Sequence, residues 1–304
     1  MDNQTTISYF LLLEFSKKRH LQLLHFFFLF VLYLATLTTN LFIISAVASD
    51  HQLHRPMYFF LMNLALQDIG SVSVIVPKSM INSLMNSRHI PYFGCVVQVF
   101  LFASFTLSNF FLLTVMAYDR YVAICNPLQY ETLINWKSCT EILCLVWIAS
   151  LLCGILHTTG TFSNHFCSNI VNQFFCEIPQ LLKLSCSGTN LVEFGVVMVN
   201  IIIALGCFTF IIISYATIFK VVQRIPSEQG RLKALSTCIP HITVVSILLL
   251  TASFANMRCP SDTPSYLDFG LTVLYSLLPP LFNPIIYSMR NKNIKFVLSK
   301  LCRF

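Results

Sequence analysis

The triplet Asp119-Arg120-Tyr121 follows thirty residues, His89 to Tyr118, that contain no Asp, Glu, Lys or Arg. About 20 apolar helical residues cross the hydrocarbon of a bilayer, so the triplet falls where such a helix emerges into water. A guanidinium is costly inside hydrocarbon, which places Arg120 at the rim, paired with a carboxylate or aimed at a partner. Asp68 is the one acid in the middle of an otherwise uncharged stretch. Carboxylates at that depth face the bundle interior, find polar partners and mark function. The chain has no metal-ligand cluster, no nucleophile with a base at useful spacing and no Gly-rich phosphate loop. No enzyme, no cofactor and no bound metal are expected.

The elements that hold these residues follow from the composition. With 56% hydrophobic and 10% charged residues, the chain departs from soluble domains, in which about 25% are charged. Seven stretches lack formal charge: Leu21–Ser49, Pro56–Pro77 (broken only by Asp68), His89–Tyr118, Ile142–Cys176, Phe194–Phe219, Ala234–Met257 and Phe269–Met289. Each is long enough to span, and the fourth runs on into a loop. The predicted fold is an all-α membrane protein, a seven-transmembrane helix bundle with a short amphipathic C-terminal helix. One domain fills residues 1–304: an extracellular N-terminus over 1–22, the bundle over 23–290 and a cytoplasmic tail helix over 291–304. In the tail, Ile294, Val297, Leu298 and Leu301 fall at helical spacing among Lys295, Lys300 and Arg303, which suits a helix lying on the inner leaflet. Cys302 is a weak palmitoylation candidate.

Placing the end of the third span in the cytosol puts twelve of the nineteen Lys and Arg residues on that side and seven outside. That bias predicts a multi-pass plasma-membrane protein with its N-terminus extracellular. The cluster Lys17-Lys18-Arg19 argues the other way. No cleavable leader pattern precedes Leu21, so the first span is expected to stay as an anchor. Asn3-Gln4-Thr5 is a glycosylation sequon on the predicted outer side. The net charge of +7 reads as a topology signal, and no nucleic-acid partner is expected. Most of the twelve Cys lie in spans or at cytosolic ends. Cys95, Cys167, Cys176 and Cys186 fall on the oxidising side, three of them in the polar loop after span four. Four Cys allow three connectivities. A bridge from span three to this loop would pin it over the bundle as a lid, stabilising by roughly 2–4 kcal/mol.

Several motifs together carry a family resemblance. Pro56-Met57-Tyr58-Phe59-Phe60-Leu61 opens span two, and Met116-Ala117-Tyr118-Asp119-Arg120-Tyr121-Val122-Ala123-Ile124-Cys125 closes span three. Ser214-Tyr215 lies near the end of span five. Lys233-Ala234-Leu235-Ser236-Thr237-Cys238 with His241 opens span six, and Pro280-Leu281-Phe282-Asn283-Pro284-Ile285-Ile286-Tyr287-Ser288-Met289-Arg290-Asn291 closes span seven. From Asn40 to Lys295 the chain resembles a rhodopsin-like G-protein-coupled receptor, and more narrowly an odorant receptor of the tetrapod type. The resemblance implies bridges Cys95–Cys176 and Cys167–Cys186. It also implies a small organic odorant, and a stimulatory, olfactory-type heterotrimeric G protein that raises cyclic AMP.

By the same resemblance, Asp119, Arg120, Tyr121, Tyr215, His241, Asn283, Pro284 and Tyr287 form the coupling switch. Arg120 folds back on Asp119 at rest and extends when released, where the hydroxyls of Tyr215 and Tyr287 can hold it. Pro284 frees a backbone carbonyl, which Asn283 is placed to satisfy. His241 reads either as a proton-sensitive coupling residue or as a packing histidine. Asn40, Asn109 and Asn283 are the implied neighbours of Asp68. Implied pocket liners are Phe102, Ala103, Thr106, Leu107, Val199, Asn200, Ile203, Ala252, Ser253, Asn256, Thr272 and Ser276. None is charged, which suits a mostly apolar ligand.

Two positions depart from the family pattern. Asn109 stands where an acid is often found, which removes the second carboxylate of an ion site. Leu248-Leu249-Leu250 stands in place of Phe-Tyr-Gly and removes an aromatic switch. The readings that compete are a small-molecule transporter or channel and a non-olfactory chemosensory receptor for a metabolite. A transporter would be expected to show repeat-related halves, and none is seen.

Overall fold

The computed structural model describes residues 7–13, 18–186, 191–257, 266–290 and 294. Among the described residues seven helices are long and apolar enough to cross a membrane. We number them as spans: one, Arg19–Ser49; two, Pro56–Met85; three, Tyr92–Cys125; four, Trp136–Phe162; five, Leu191–Gln223; six, Glu228–Met257; seven, Tyr266–Arg290. Each uncharged stretch of the sequence overlaps one of them; the third begins at His89, just ahead of its helix, and the fourth runs past Phe162 into the following loop, as expected. The helices run past those stretches into polar ends, because capping and first-turn residues belong to a helix without being apolar. Span one thus starts at Arg19, four residues before the bundle was expected to begin and inside the segment 1–22 expected to be the extracellular N-terminus. The tail from 291 on, apart from Ile294, and the sequon at Asn3 lie outside the described residues. Ile294 is fully buried against the main core.

Small residues let the helices approach. A Cβ on Gly70 of span two would meet the Phe105 ring at 2.5 Å, and one on Gly154 of span four would meet Ser104 Oγ at 2.2 Å. Both glycines therefore set how closely span three is flanked, as is usual where no hydrophobic effect drives helices together. The largest core cluster runs from Ile43 and Val47 of span one through Leu64, Leu113 and Met116 to Val244 and Tyr287.

The opposite end carries a cap. Strands β1 (Tyr9–Leu12), β2 (His89–Pro91) and β3 (Ile170–Val171) form a sheet in the order β2-β1-β3. β1 lies antiparallel to β2, with Phe10 opposite Ile90, and parallel to β3, with Leu12 opposite Val171. Phe10 has no exposed surface; its ring stacks on Tyr92 at 5.8 Å and meets Phe166 edge-on at 5.4 Å. Disulfides Cys95–Cys176 and Cys167–Cys186 hold the same region, with Cα separations of 5.6 and 5.0 Å. The first fastens the loop after span four to the start of span three.

Candidate functional site

Asp68 is fully buried in span two. Asn109 Nδ2 of span three donates to its Oδ1 at 3.0 Å, and Asn283 Nδ2 of span seven donates to its Oδ2 at 3.0 Å. Three helices are thus joined through one carboxyl group. Asn40, expected beside Asp68, does something else: its Nδ2 donates to Thr36 O and to Pro280 O, both at 2.9 Å. The reason lies four residues on. Pro284 has no N–H to give to Pro280 O, so that carbonyl is the one the proline frees. Asn283 was expected to satisfy it, but Asn40 of span one fills it, and Asn283 is spent on Asp68.

At the end where span three finishes, the expected pairing of Asp119 with Arg120 is replaced by two separate contacts. Tyr130 Oη, in the turn after span three, donates to Asp119 Oδ1 at 2.8 Å. Burial, then the neighbouring Asp119 charge, push the Tyr130 phenol up, so it stays a donor. Arg120 Nη2 instead donates to Met57 Sδ, in the first turn of span two. Among the described residues Asp119 and Arg120 form no ion pair. A carboxylate already taken by a phenol offers less to its neighbour, and a side chain next in helical sequence points some 100° away.

Tyr287 is buried and Tyr215 partly buried, and among the described residues their buried hydroxyls have no hydrogen-bond partner. Both lie within reach of the Arg120 charge. His241 of span six is buried and donates from Nε2 to Leu113 O of span three at 2.9 Å. Its ring stacks on Tyr215 with centroids 5.6 Å apart. Tyr121 packs with Ile218, Val222 and Cys238 where spans three, five and six meet.

The implied pocket liners divide. Phe102 meets Phe175 of the loop after span four at 5.1 Å. Thr106 is exposed although it shares a helical face with Phe102 and Asn109, so that face borders open space. Ala103, Leu107 and Ile203 are partly buried. Thr272 and Ser276 are buried: Thr272 Oγ1 accepts from Gln173 Nε2 at 2.7 Å, and Ser276 Oγ donates to Thr272 O at 2.6 Å. Asn200 Nδ2 donates to His157 Nε2 of span four at 2.8 Å. Val199 is 55% exposed and lies about 100° round the helix from Asn200. The side chains of Ala252, Ser253 and Asn256 lie outside the described residues.

Sequence reasoning missed five contacts around these sites, namely Met57, Tyr130, His157, Gln173 and Glu177. Glu177 accepts from Tyr275 of span seven, which with Gln173–Thr272 ties the loop after span four to the seventh helix. Glu177 and Gln173 were legible only as polar residues beside Cys176.

Seven spans enclosing a buried carboxyl, with an arginine closing the third, define a rhodopsin-type seven-helix fold. The crystal structure of squid rhodopsin matches with a TM-score of 0.72 over 94% of this chain and 86% of that one; at 17% identity the likeness speaks for the fold. The sequence carries the identification further. Residues 29–303 match the family described as "Olfactory receptor", and the chain belongs to that family. Human Olfactory receptor 14C36 is 47% identical over 308 residues, covering 100% of this chain and 97% of that protein. Human Olfactory receptor 14A16 is 43% identical over 304 residues, covering 100% and 98%, and human Olfactory receptor 14J1 is 44% identical over 302 residues, covering 99% and 94%.

Proposed function

We propose that this olfactory-family receptor sits in the plasma membrane with its N-terminus outside and binds a small, mostly apolar organic odorant in the cap-side half of the bundle. Binding activates a stimulatory, olfactory-type G protein through the opposite end and raises cyclic AMP. The observation that carries the coupling half is Arg120: a guanidinium at the end of span three that, among the described residues, forms no ion pair with Asp119, and whose charge acts on two buried tyrosine hydroxyls that have no hydrogen-bond partner there. A ligand shifts such a two-state element only by binding one state better. The apolar, uncharged character of the liners at Phe102, Thr106, Leu107 and Ile203 supports a neutral ligand.

The test is a screen of neutral odorants on cells that display the receptor together with the olfactory G protein. Arg120→Ala should reach the surface at parental levels and lose odorant-driven cyclic AMP, because no neutral side chain replaces the planar donor fork. An Arg120→Ala variant that signals like the parent would sink the coupling role. Odorant-gated ion flux in G-protein-free liposomes would favour a channel instead.

A further inference from the structure

A polar cavity of about 30 Å³ lies where the cap meets the ends of spans one and two. Gln22 and His25 of span one, Ser79, Asn82 and Ser83 of span two, and Arg88 of the following turn line it. Asn82 is 8% exposed, and among the described residues both polar atoms of its side chain are buried without a hydrogen-bond partner. A buried amide with its bonds unmade is costly, so Asn82 calls for an occupant that the cavity can hold. The neighbouring side chains fix the wall around it. His25 Nδ1 meets Ser83 Oγ at 2.8 Å, and Gln22 Nε2 donates to Asn86 Oδ1 at 2.6 Å.

Charge and size narrow the occupant. Among the described residues no Asp or Glu lines the cavity, while Arg88 brings a cation to it. Two helix ends oppose each other here, the positive end of span one and the negative end of span two. Arg19 offsets the second by donating to Ser83 O at 3.2 Å and Leu84 O at 2.6 Å. The balance favours an anion. The volume is room for about two water-sized species, which admits a monatomic anion with one water and is too small for a tetrahedral anion or a lipid headgroup. We propose that the cavity binds a halide, chloride in physiological salt. Asn82 Nδ2 and the Ser79 hydroxyl are its donors, and Arg88 is its counter-charge. One water beside the ion serves Asn82 Oδ1. Arg88 O also accepts from Leu12 N at 2.9 Å, so the ion fastens β1 of the cap to spans one and two.

The test is thermal unfolding of the purified, solubilised receptor in sodium chloride, bromide, gluconate and sulfate, at one pH and one ionic strength. An ion that binds only the folded state raises the midpoint by mass action, so chloride should raise it saturably by about 3 °C over gluconate. Bromide should do the same, and sulfate should match gluconate. Asn82→Leu removes the donors and fills the space, and should lose the difference between the salts. Arg88→Gln changes an exposed side chain and should weaken chloride about tenfold through the loss of a charge-assisted contact.

Chlorine NMR supplies a readout on the parent alone. The receptor should broaden the line of free chloride, and added bromide should narrow it again. Equal midpoints in the four salts, a line that the receptor leaves sharp, or a chloride effect unchanged in Arg88→Gln each overturn the proposal and leave the cavity to water. Sulfate that raises the midpoint as chloride does also overturns it, because a general salt effect then accounts for the shift.

Discussion

Pro284 lacks an amide hydrogen, and the carbonyl it leaves open at Pro280 is answered from span one by Asn40. A backbone oxygen without a partner in a lipid-surrounded bundle is expensive, so the pair Asn40–Pro284 should behave as a unit. Asn40→Ala is expected to lower stability by about 1–3 kcal/mol, the cost of leaving a buried acceptor unmade. Pro284→Ala restores the missing N–H, so adding Asn40→Ala to that background should cost clearly less. Thermal unfolding of the four purified variants closes the cycle, and equal losses in both backgrounds would contradict the pairing. The sequence showed that a carbonyl is freed and that asparagines are at hand. It gave no means of choosing between Asn283, next to Pro284 in the chain, and Asn40, 240 residues from the acceptor. Proximity in sequence favoured Asn283, but the Asp68 carboxyl takes that amide. The same limit hid Met57 and Tyr130: which side chain meets Arg120 or Asp119 depends on how spans two and three are rotated.

Helices were legible because an uncharged stretch of spanning length has few other ways to satisfy its backbone in lipid. Strands of two to four residues carry no comparable signal, and β1 falls in the segment 1–22 for which no element was predicted. Its placement between β2 and β3 makes the N-terminal segment the centre of the cap, anchored by Phe10. Phe10→Ala should destabilise the cap by about 3–5 kcal/mol, as for other buried Phe truncations. Hydrogen exchange at Ile90 and Val171, opposite Phe10 and Leu12, would report it as faster exchange there with span-three amides unaffected. Uniform loss of protection would instead mean global unfolding. The Cys95–Cys176 bridge belongs to the same element and ties it to span three. Cys176→Ala should abolish surface display while Cys302→Ala leaves it intact, and equal surface signal from the two variants would contradict that role. The loop reaches span seven through Glu177 on Tyr275 and Gln173 on Thr272, so the cap connects the third and seventh spans across the mouth of the bundle.

Orientation is a property of the whole chain, set by the bias of basic residues toward one side. The cluster Lys17-Lys18-Arg19 runs against that bias on the outer side, and its last member has a structural task. Arg19 donates to Ser83 O at 3.2 Å and to Leu84 O at 2.6 Å, the last-turn carbonyls of span two. A cation there satisfies open carbonyls and complements the negative end of the helix dipole. One of the three charges is thereby explained without reversing the topology. The proposed orientation would put Asn3 outside, in the glycosylating compartment, with Arg120 in the cytosol facing its proposed partner. Glycosidase treatment should therefore speed the parent on a gel, and Thr5→Ala, which destroys the sequon Asn3-Gln4-Thr5, should run at that faster position untreated. A parent whose mobility glycosidase leaves unchanged removes this support for an outside N-terminus. A Thr5→Ala variant that still shifts places a glycan elsewhere. Reading the orientation independently, by antibody access to a tag at residue 1 in unpermeabilised cells, separates an unused sequon from an inverted chain: staining keeps the topology, and its absence in cells that stain after permeabilisation overturns it.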